Sequence, residues 1–178
     1  QGLFAHFQAV ARAVNLPIIL YNVPGRTGCD LLNDTVVRLS QIDNIVAIKD
    51  ATGDVERGAA LIEAVPDGFS VFSGDDATAL ELMRRGGKGN VSVTANIAAG
   101  DMAAMCNLAL AQEWEAAAEI DARLSDLNHL LFSEANPIPV KWAMAHRGMI
   151  EEGIRLPLTP LSEGCRAPLE QAMETYFA

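Results

Sequence analysis

The sequence predicts an α/β fold, about four strand–helix units followed by an all-helical stretch. Two observations carry that expectation. Short apolar runs rich in β-branched residues recur through residues 1–100, flanked by Asn, Pro or Gly, with helix-patterned segments between them. Their spacing of roughly 20–28 residues is the strand–helix rhythm of α/β proteins. From Asp101 onward the pattern is helical throughout, with no further strand-like run. The expected organisation is therefore 1–100 as the strand–helix part and 101–178 as a helical region.

In order along the chain, Leu3, Phe7, Val10 and Val14 recur at helical spacing over Leu3 to Val14. Pro17 to Tyr21 reads as the first strand, and Ile45 to Lys49, Phe69 to Phe72 and Asn90 to Val93 repeat it. These runs are continuously apolar, the pattern of parallel strands covered on both faces. Helices are expected at Asn33 to Gln41, Asp54 to Ala64 and Asp76 to Arg85, with Asn33 and Asp76 as N-caps. Gly86-Gly87 ends the last of these after two arginines, which suit a helix C-terminus. The helical region divides into Met102 to Leu110, Glu113 to Phe132, Pro139 to Arg147 and Glu163 to Tyr176. Four units fall short of a (β/α)₈ barrel, which takes about 250 residues, and by themselves they also suit a small open sheet. None of the strand-to-helix turns reads GxGxxG, and Gly86-Gly-Lys-Gly89 follows a helix and lacks the Ser or Thr of a phosphate loop.

Composition narrows the function. Of 178 residues 50% are hydrophobic, which excludes intrinsic disorder. Acidic residues outnumber basic ones 23 to 13, a balance that argues against nucleic acid as a partner. Apolar runs such as Leu16 to Leu20 are too short to span a bilayer, so no membrane partner is expected. Cys29, Cys106 and Cys165 make no disulfide framework and no zinc motif, and favour a reducing, cytoplasmic compartment. His6, His129 and His146 lack any ligand spacing, so no metal site is expected.

Polar residues at strand C-terminal ends are the candidates for chemistry. Lys49 closes the run Ile45-Val-Ala-Ile48, where lost hydration favours the neutral amine that attacks a carbonyl. A lysine that snorkels to solvent from an ordinary loop is the plainer reading. Tyr21 ends the preceding strand in the same register, so if the strands are neighbours its phenol lies beside Lys49 and serves as proton shuttle. Arg26 follows in a loop built from Pro24 and Gly25, and its fork suits a carboxylate. Asp75-Asp76 is better explained as a helix cap than as a metal site. Together Lys49, Tyr21 and Arg26 point to carbonyl chemistry on a carboxylate-bearing substrate.

Five segments carry a resemblance: Tyr21-Asn-Val-Pro-Gly-Arg-Thr-Gly28, Ile48-Lys-Asp-Ala-Thr-Gly53, Ser73-Gly-Asp-Asp-Ala77, Val91-Ser-Val-Thr-Ala-Asn96 and Asn136-Pro-Ile-Pro-Val-Lys-Trp142. They resemble the dihydrodipicolinate synthase family within the pyruvate-dependent class I aldolases. N-acetylneuraminate lyase, a sister aldolase, shares the Tyr and the Lys, and the Arg context favours the synthase. Val91 stands where that family often has Ile, and Asp50 where it often has Glu.

The resemblance implies a (β/α)₈ TIM barrel with a C-terminal helical extension, of which this chain matches the C-terminal part. It implies a lyase of lysine and diaminopimelate biosynthesis that condenses pyruvate, held as a Schiff base on Lys49, with aspartate 4-semialdehyde. Tyr21 would relay protons, Arg26 would bind the semialdehyde carboxylate, and Gly74 and Val91 would line the pyruvate pocket. No cofactor is implied, since imine chemistry needs only the amine. The family's threonine pair, its second tyrosine and most of its lysine site belong to the part this chain does not match. The implied assembly is a homotetramer. A half-barrel also leaves unpaired strand edges, so the chain is expected to need its N-terminal half-barrel or another partner surface. The competing expectation is a non-catalytic half-barrel fragment.

Overall fold

In chain order the first elements are α1 (Gly2–Ala13), β1 (Ile18–Asn22), α2 (Pro24–Thr27), α3 (Asn33–Leu39), β2 (Ile45–Asp50), α4 (Val55–Ala64), β3 (Ser70–Ser73) and α5 (Ala79–Arg84). The three strands form one parallel sheet in the order β1-β2-β3. This computed structural model describes residues 1–178 and separates into two compact units, Gln1–Val91 and Ser92–Ala178.

In the first unit Leu20, Ile48 and Val71 stand side by side across the sheet, each no more than 2% exposed. Phe4, Phe7 and Ala11 of α1, Val36 and Leu39 of α3 and Leu61 of α4 join their core. Each fully buried Leu or Ile here contributes about 1.5–3 kcal/mol of transfer free energy. The opposite face carries Tyr21, Lys49 and Phe72 in one row and Ile19, Ala47 and Ser70 in the next. Ile19 is 57% exposed and Tyr21 48%. The apolar runs predict cover on both faces, whereas the core helices all return over the Leu20 face. The register shifts by one residue on β2, where Val46 is passed over between the Ile18–Ile45 and Ile19–Ala47 pairs.

The fourth expected strand, Asn90 to Val93, is reduced to a single parallel bridge between Ser73 and Asn90. Ser73 N donates to the Gly89 carbonyl and Val91 N to the Ser73 carbonyl, both at 2.9 Å. Ser92 Oγ then accepts from Ala95 N at 2.9 Å, and the chain coils into a 3₁₀ turn at Thr94–Asn96. That turn removes the backbone from the ladder before a strand can extend. The sheet therefore has three strands, not four.

Two caps also differ from expectation. Asn33 is already helical, and its Nδ2 donates to the Arg57 carbonyl at 3.0 Å instead of its side chain capping α3. Asp75, not Asp76, caps the 3₁₀ turn Asp76–Thr78, accepting from Thr78 N at 3.2 Å and from its hydroxyl at 2.7 Å. Asp76 is buried and accepts from Asn90 Nδ2 at 2.6 Å. Gly86, at φ +106°, and Gly87 follow α5, as the sequence predicts.

The second unit holds α6 (Ala99–Leu110), α7 (Trp114–Leu130), α8 (Ile138–His146) and α9 (Glu163–Phe177). Ala117, Ile120, Leu124, Leu127 and Leu131 are buried at alternating three- and four-residue steps, one stripe that packs α7 against α6 and α9. No helix is long and apolar enough to cross a membrane. Asp101 of α6 accepts from Arg123 Nη2 of α7 at 2.9 Å and from the Tyr176 hydroxyl of α9 at 3.0 Å. Burial first, and then the bond to Asp101, push the Tyr176 phenol up to about 12 from an ordinary 10.0.

A raised folded-state value means stability that is complete below pH 10.0 and lost as pH rises towards 12. Tyr176→Phe should therefore flatten the alkaline fall in thermal stability over that window. An unchanged alkaline limb, read from melting curves at stepped pH, would count against this account.

Candidate active site

Parallel pairing places Tyr21 directly opposite Lys49, and Lys49 opposite Phe72, at the C-terminal edge of the sheet. The Lys49 ammonium lies over the Tyr21 ring, 4.4 Å from its centroid. Such a contact stabilises by about 0.5–1 kcal/mol in an exposed setting. The two residues expected to meet do so, ring face to ammonium. The half-buried Lys49 stem runs against Gly74: a Cβ there would fall 2.7 Å from Lys49 Cε and 3.1 Å from its Cγ. Gly74 is held in place by its N–H, which donates to the Asp50 carbonyl at 2.8 Å.

Val91, 47% exposed, follows the single bridge to β3, its N–H on the Ser73 carbonyl. Arg26 lies in α2, the exposed one-turn helix that Pro24 starts and that Gly28 ends with φ +62°. The geometry thus brings Lys49 against both Tyr21 and Gly74, sets Arg26 on the segment that follows β1, and sets Val91 after α5, beside the end of β3.

A polar network behind this edge has no counterpart in the sequence reading. Asn22 and Asp50, each next in line after Tyr21 and Lys49, point to the other face and are buried. Asn22 Nδ2 donates to Asp30 Oδ1 at 2.9 Å and to Asp50 Oδ1 at 3.4 Å, and its Oδ1 accepts from Leu31 N at 3.0 Å. Thr52 Oγ1 donates to Asp50 Oδ2 at 2.9 Å. Arg57 of α4 grips Asp30 with both Nη groups at 2.8 Å, and one of them also reaches the Leu31 carbonyl at 3.0 Å. The Arg57 guanidinium, followed by the Asn22 amide, holds the Asp30 carboxyl below the ordinary 3.8. This network ties the segment after α2 to the ends of β1 and β2, and so fixes the base of the Arg26 turn.

Arg57→Ala should cost about 1–2 kcal/mol in urea unfolding, allowing for the partial exposure of the pair. Arg57→Lys should recover only part, because an ammonium cannot span both carboxylate oxygens. Asp30's folded-state value is depressed, so its contribution is whole above pH 3.8 and lost as pH falls below that. The gap between wild type and Arg57→Ala should narrow on acidification. A gap that stays constant down to full protonation would refute the ion-pair account.

The sequence model of the Dihydrodipicolinate synthetase family matches residues 1–176. The chain belongs to that family. It is 58% identical over 175 residues to a 4-hydroxy-tetrahydrodipicolinate synthase of Marinobacter nauticus, covering 98% of this chain and 60% of the relative. The corresponding synthase of Pseudomonas aeruginosa is 56% identical over 173 residues, covering 97% and 59%. Among solved structures, the chloride-inhibited dihydrodipicolinate synthase of Acinetobacter baumannii, complexed with pyruvate, superposes with a TM-score of 0.97 at 56% identity. That match covers 99% of this chain and 60% of that one. The Aquifex aeolicus dihydrodipicolinate synthase gives 0.96 at 40% identity, over 99% and 60%. The chain thus spans about 60% of the length of the family members it matches.

Proposed function

We propose that this chain carries the Schiff-base half of a 4-hydroxy-tetrahydrodipicolinate synthase, a lyase of lysine and diaminopimelate biosynthesis. The observation that carries the reading is the Lys49 ammonium 4.4 Å from the Tyr21 ring centroid at one strand end, within a family member. Lys49 Nζ attacks the keto carbon of pyruvate, water leaves, and an imine remains. Loss of a methyl proton gives the enamine, whose carbon attacks the aldehyde of aspartate 4-semialdehyde. The amino group of that substrate then displaces Lys49 from the imine carbon, closing the ring and freeing the amine. Tyr21 moves protons in these steps, Arg26 holds the semialdehyde carboxylate, and Gly74 and Val91 border the pyruvate.

In this reading the sheet is part of a (β/α)₈ barrel. The face on which Ile19 and Tyr21 stand exposed is its inner face, which the remaining strands would cover. Assembly as a homo-oligomer and a cytoplasmic location belong to the same proposal. Cys29, Cys106 and Cys165, none of them in a disulfide, accord with a reducing compartment.

The test is borohydride reduction in the presence of pyruvate, with intact-mass and peptide analysis. One reduced pyruvyl adduct on Lys49 is expected. Arg26→Ala should retain that adduct and lose semialdehyde turnover by about 10²-fold or more, the loss typical of a mispositioned substrate. A sister aldolase with another acceptor would keep its turnover in that variant. No adduct on a folded chain would assign it to the non-catalytic half-barrel instead.

A further inference from the structure

We propose that the unit Ser92–Ala178 holds a second binding site, for a small organic monocarboxylate with an apolar body. A cavity of about 340 Å³ lies between α8, the loop after it and the start of α9. That volume is at the lower end of the range for small-molecule sites, the size of a compact metabolite. Its walls include Trp142, Ile154 and Leu161, and its charged groups are Lys141, Arg166 and Glu152.

The charges give the site its selectivity. Lys141, half-buried, makes no ion pair or side-chain hydrogen bond. Arg166 uses Nε on the Leu161 carbonyl at 3.0 Å, which anchors the guanidinium in the wall and leaves both Nη groups without a protein acceptor. Glu152 lines the same cavity and pairs with neither cation. In a chain with 23 acidic and 13 basic residues, two unneutralised cations in one cavity are an exception to the local charge balance. Lys141, Arg166 and Glu152 sum to one positive charge, which one carboxylate neutralises and two would overshoot. Guanidinium Nη groups fit a carboxylate in the two-bond geometry, and Trp142, whose ring stacks on His146 with centroids 4.9 Å apart, adds apolar wall for the rest of the ligand together with Ile154 and Leu161. None of these residues takes part in the chemistry assigned to Lys49, Tyr21 and Arg26.

The experiment titrates the full chain with benzoate, following tryptophan fluorescence, with benzyl alcohol as the uncharged analogue and inorganic phosphate as the simple anion. Saturable benzoate binding is expected, at least tenfold tighter than either control. Lys141→Met and Arg166→Met should each weaken it tenfold or more, Arg166→Lys should recover only part of what Arg166→Met loses, and Lys49→Met should leave it unchanged. Equal binding of benzyl alcohol, absence of saturation, or loss of binding in Lys49→Met would each overturn the proposal. Lys141 makes no side-chain bond whose loss could unfold the unit, so its variant decides the matter even if Arg166→Met fails to fold.

Discussion

Lys49→Met abolishes the reducible pyruvate adduct while the fold remains: that is the largest effect expected of any single change here. Methionine retains an unbranched stem against Gly74 and a polarisable end over the Tyr21 ring, so packing at the strand end is preserved. It removes the only atom able to form the imine at this position. Turnover through a covalent path should fall to background, because the nucleophile is absent rather than misplaced. Peptide mapping after borohydride reduction checks this directly, beside urea unfolding as the control for folding. Wild-type levels of adduct in the variant, on any lysine, would move the chemistry away from β2.

Gly74→Ala should come second. The added Cβ would lie 2.7 Å from both Lys49 Cε and Ala51 Cβ, closer than carbon atoms pack. The lysine stem can swing aside, but Ala51 Cβ is fixed to the backbone after β2, so the ammonium is the part displaced. Overpacking of this kind costs about 1–3 kcal/mol of stability. Displacing a reacting atom by about an ångström costs on the order of 10² in turnover. The signature is a loss of trapping rate larger than the loss of stability accounts for. Gly100→Ala, where a Cβ meets nothing within 4 Å, is the neutral control. If both variants trap pyruvate at the wild-type rate, Gly74 is not positioning Lys49.

Much of this was readable from the chain before its structure, and the reasons differ by element. β1, β2 and β3 announce themselves as β-branched runs between turn residues, and the four helices of the second unit as apolar stripes. Tyr21 and Lys49 were legible as partners because each is the last large residue of its apolar run, and parallel strands of like length align their ends. The sheet's open face was not legible. Ile19 and Leu20 are equally apolar, so the sequence hides that one is 57% exposed and the other 1%. The Asn90 to Val93 run failed as a strand because the chain turns at once into Thr94–Asn96, with Ser92 Oγ taking the Ala95 N–H, and an apolar pattern does not show where a ladder stops. The Asp30–Arg57 grip joins residues 27 apart and has no local signature. Its one readable trace was Asn22 and Asp50, polar residues ending apolar runs.

The residue passed over on β2, Val46, decides on which side of the sheet the amine and the phenol stand. At the Ile18–Ile45 spacing, Tyr21 would stand opposite Ile48, with its ring on the helix-covered side of the sheet and the amine on the other. The skipped residue restores parity and brings phenol and amine to one side. Within Ile18–Asn22 or Ile45–Asp50, a change of one residue exchanges the two faces beyond it, and only changes in pairs preserve the site.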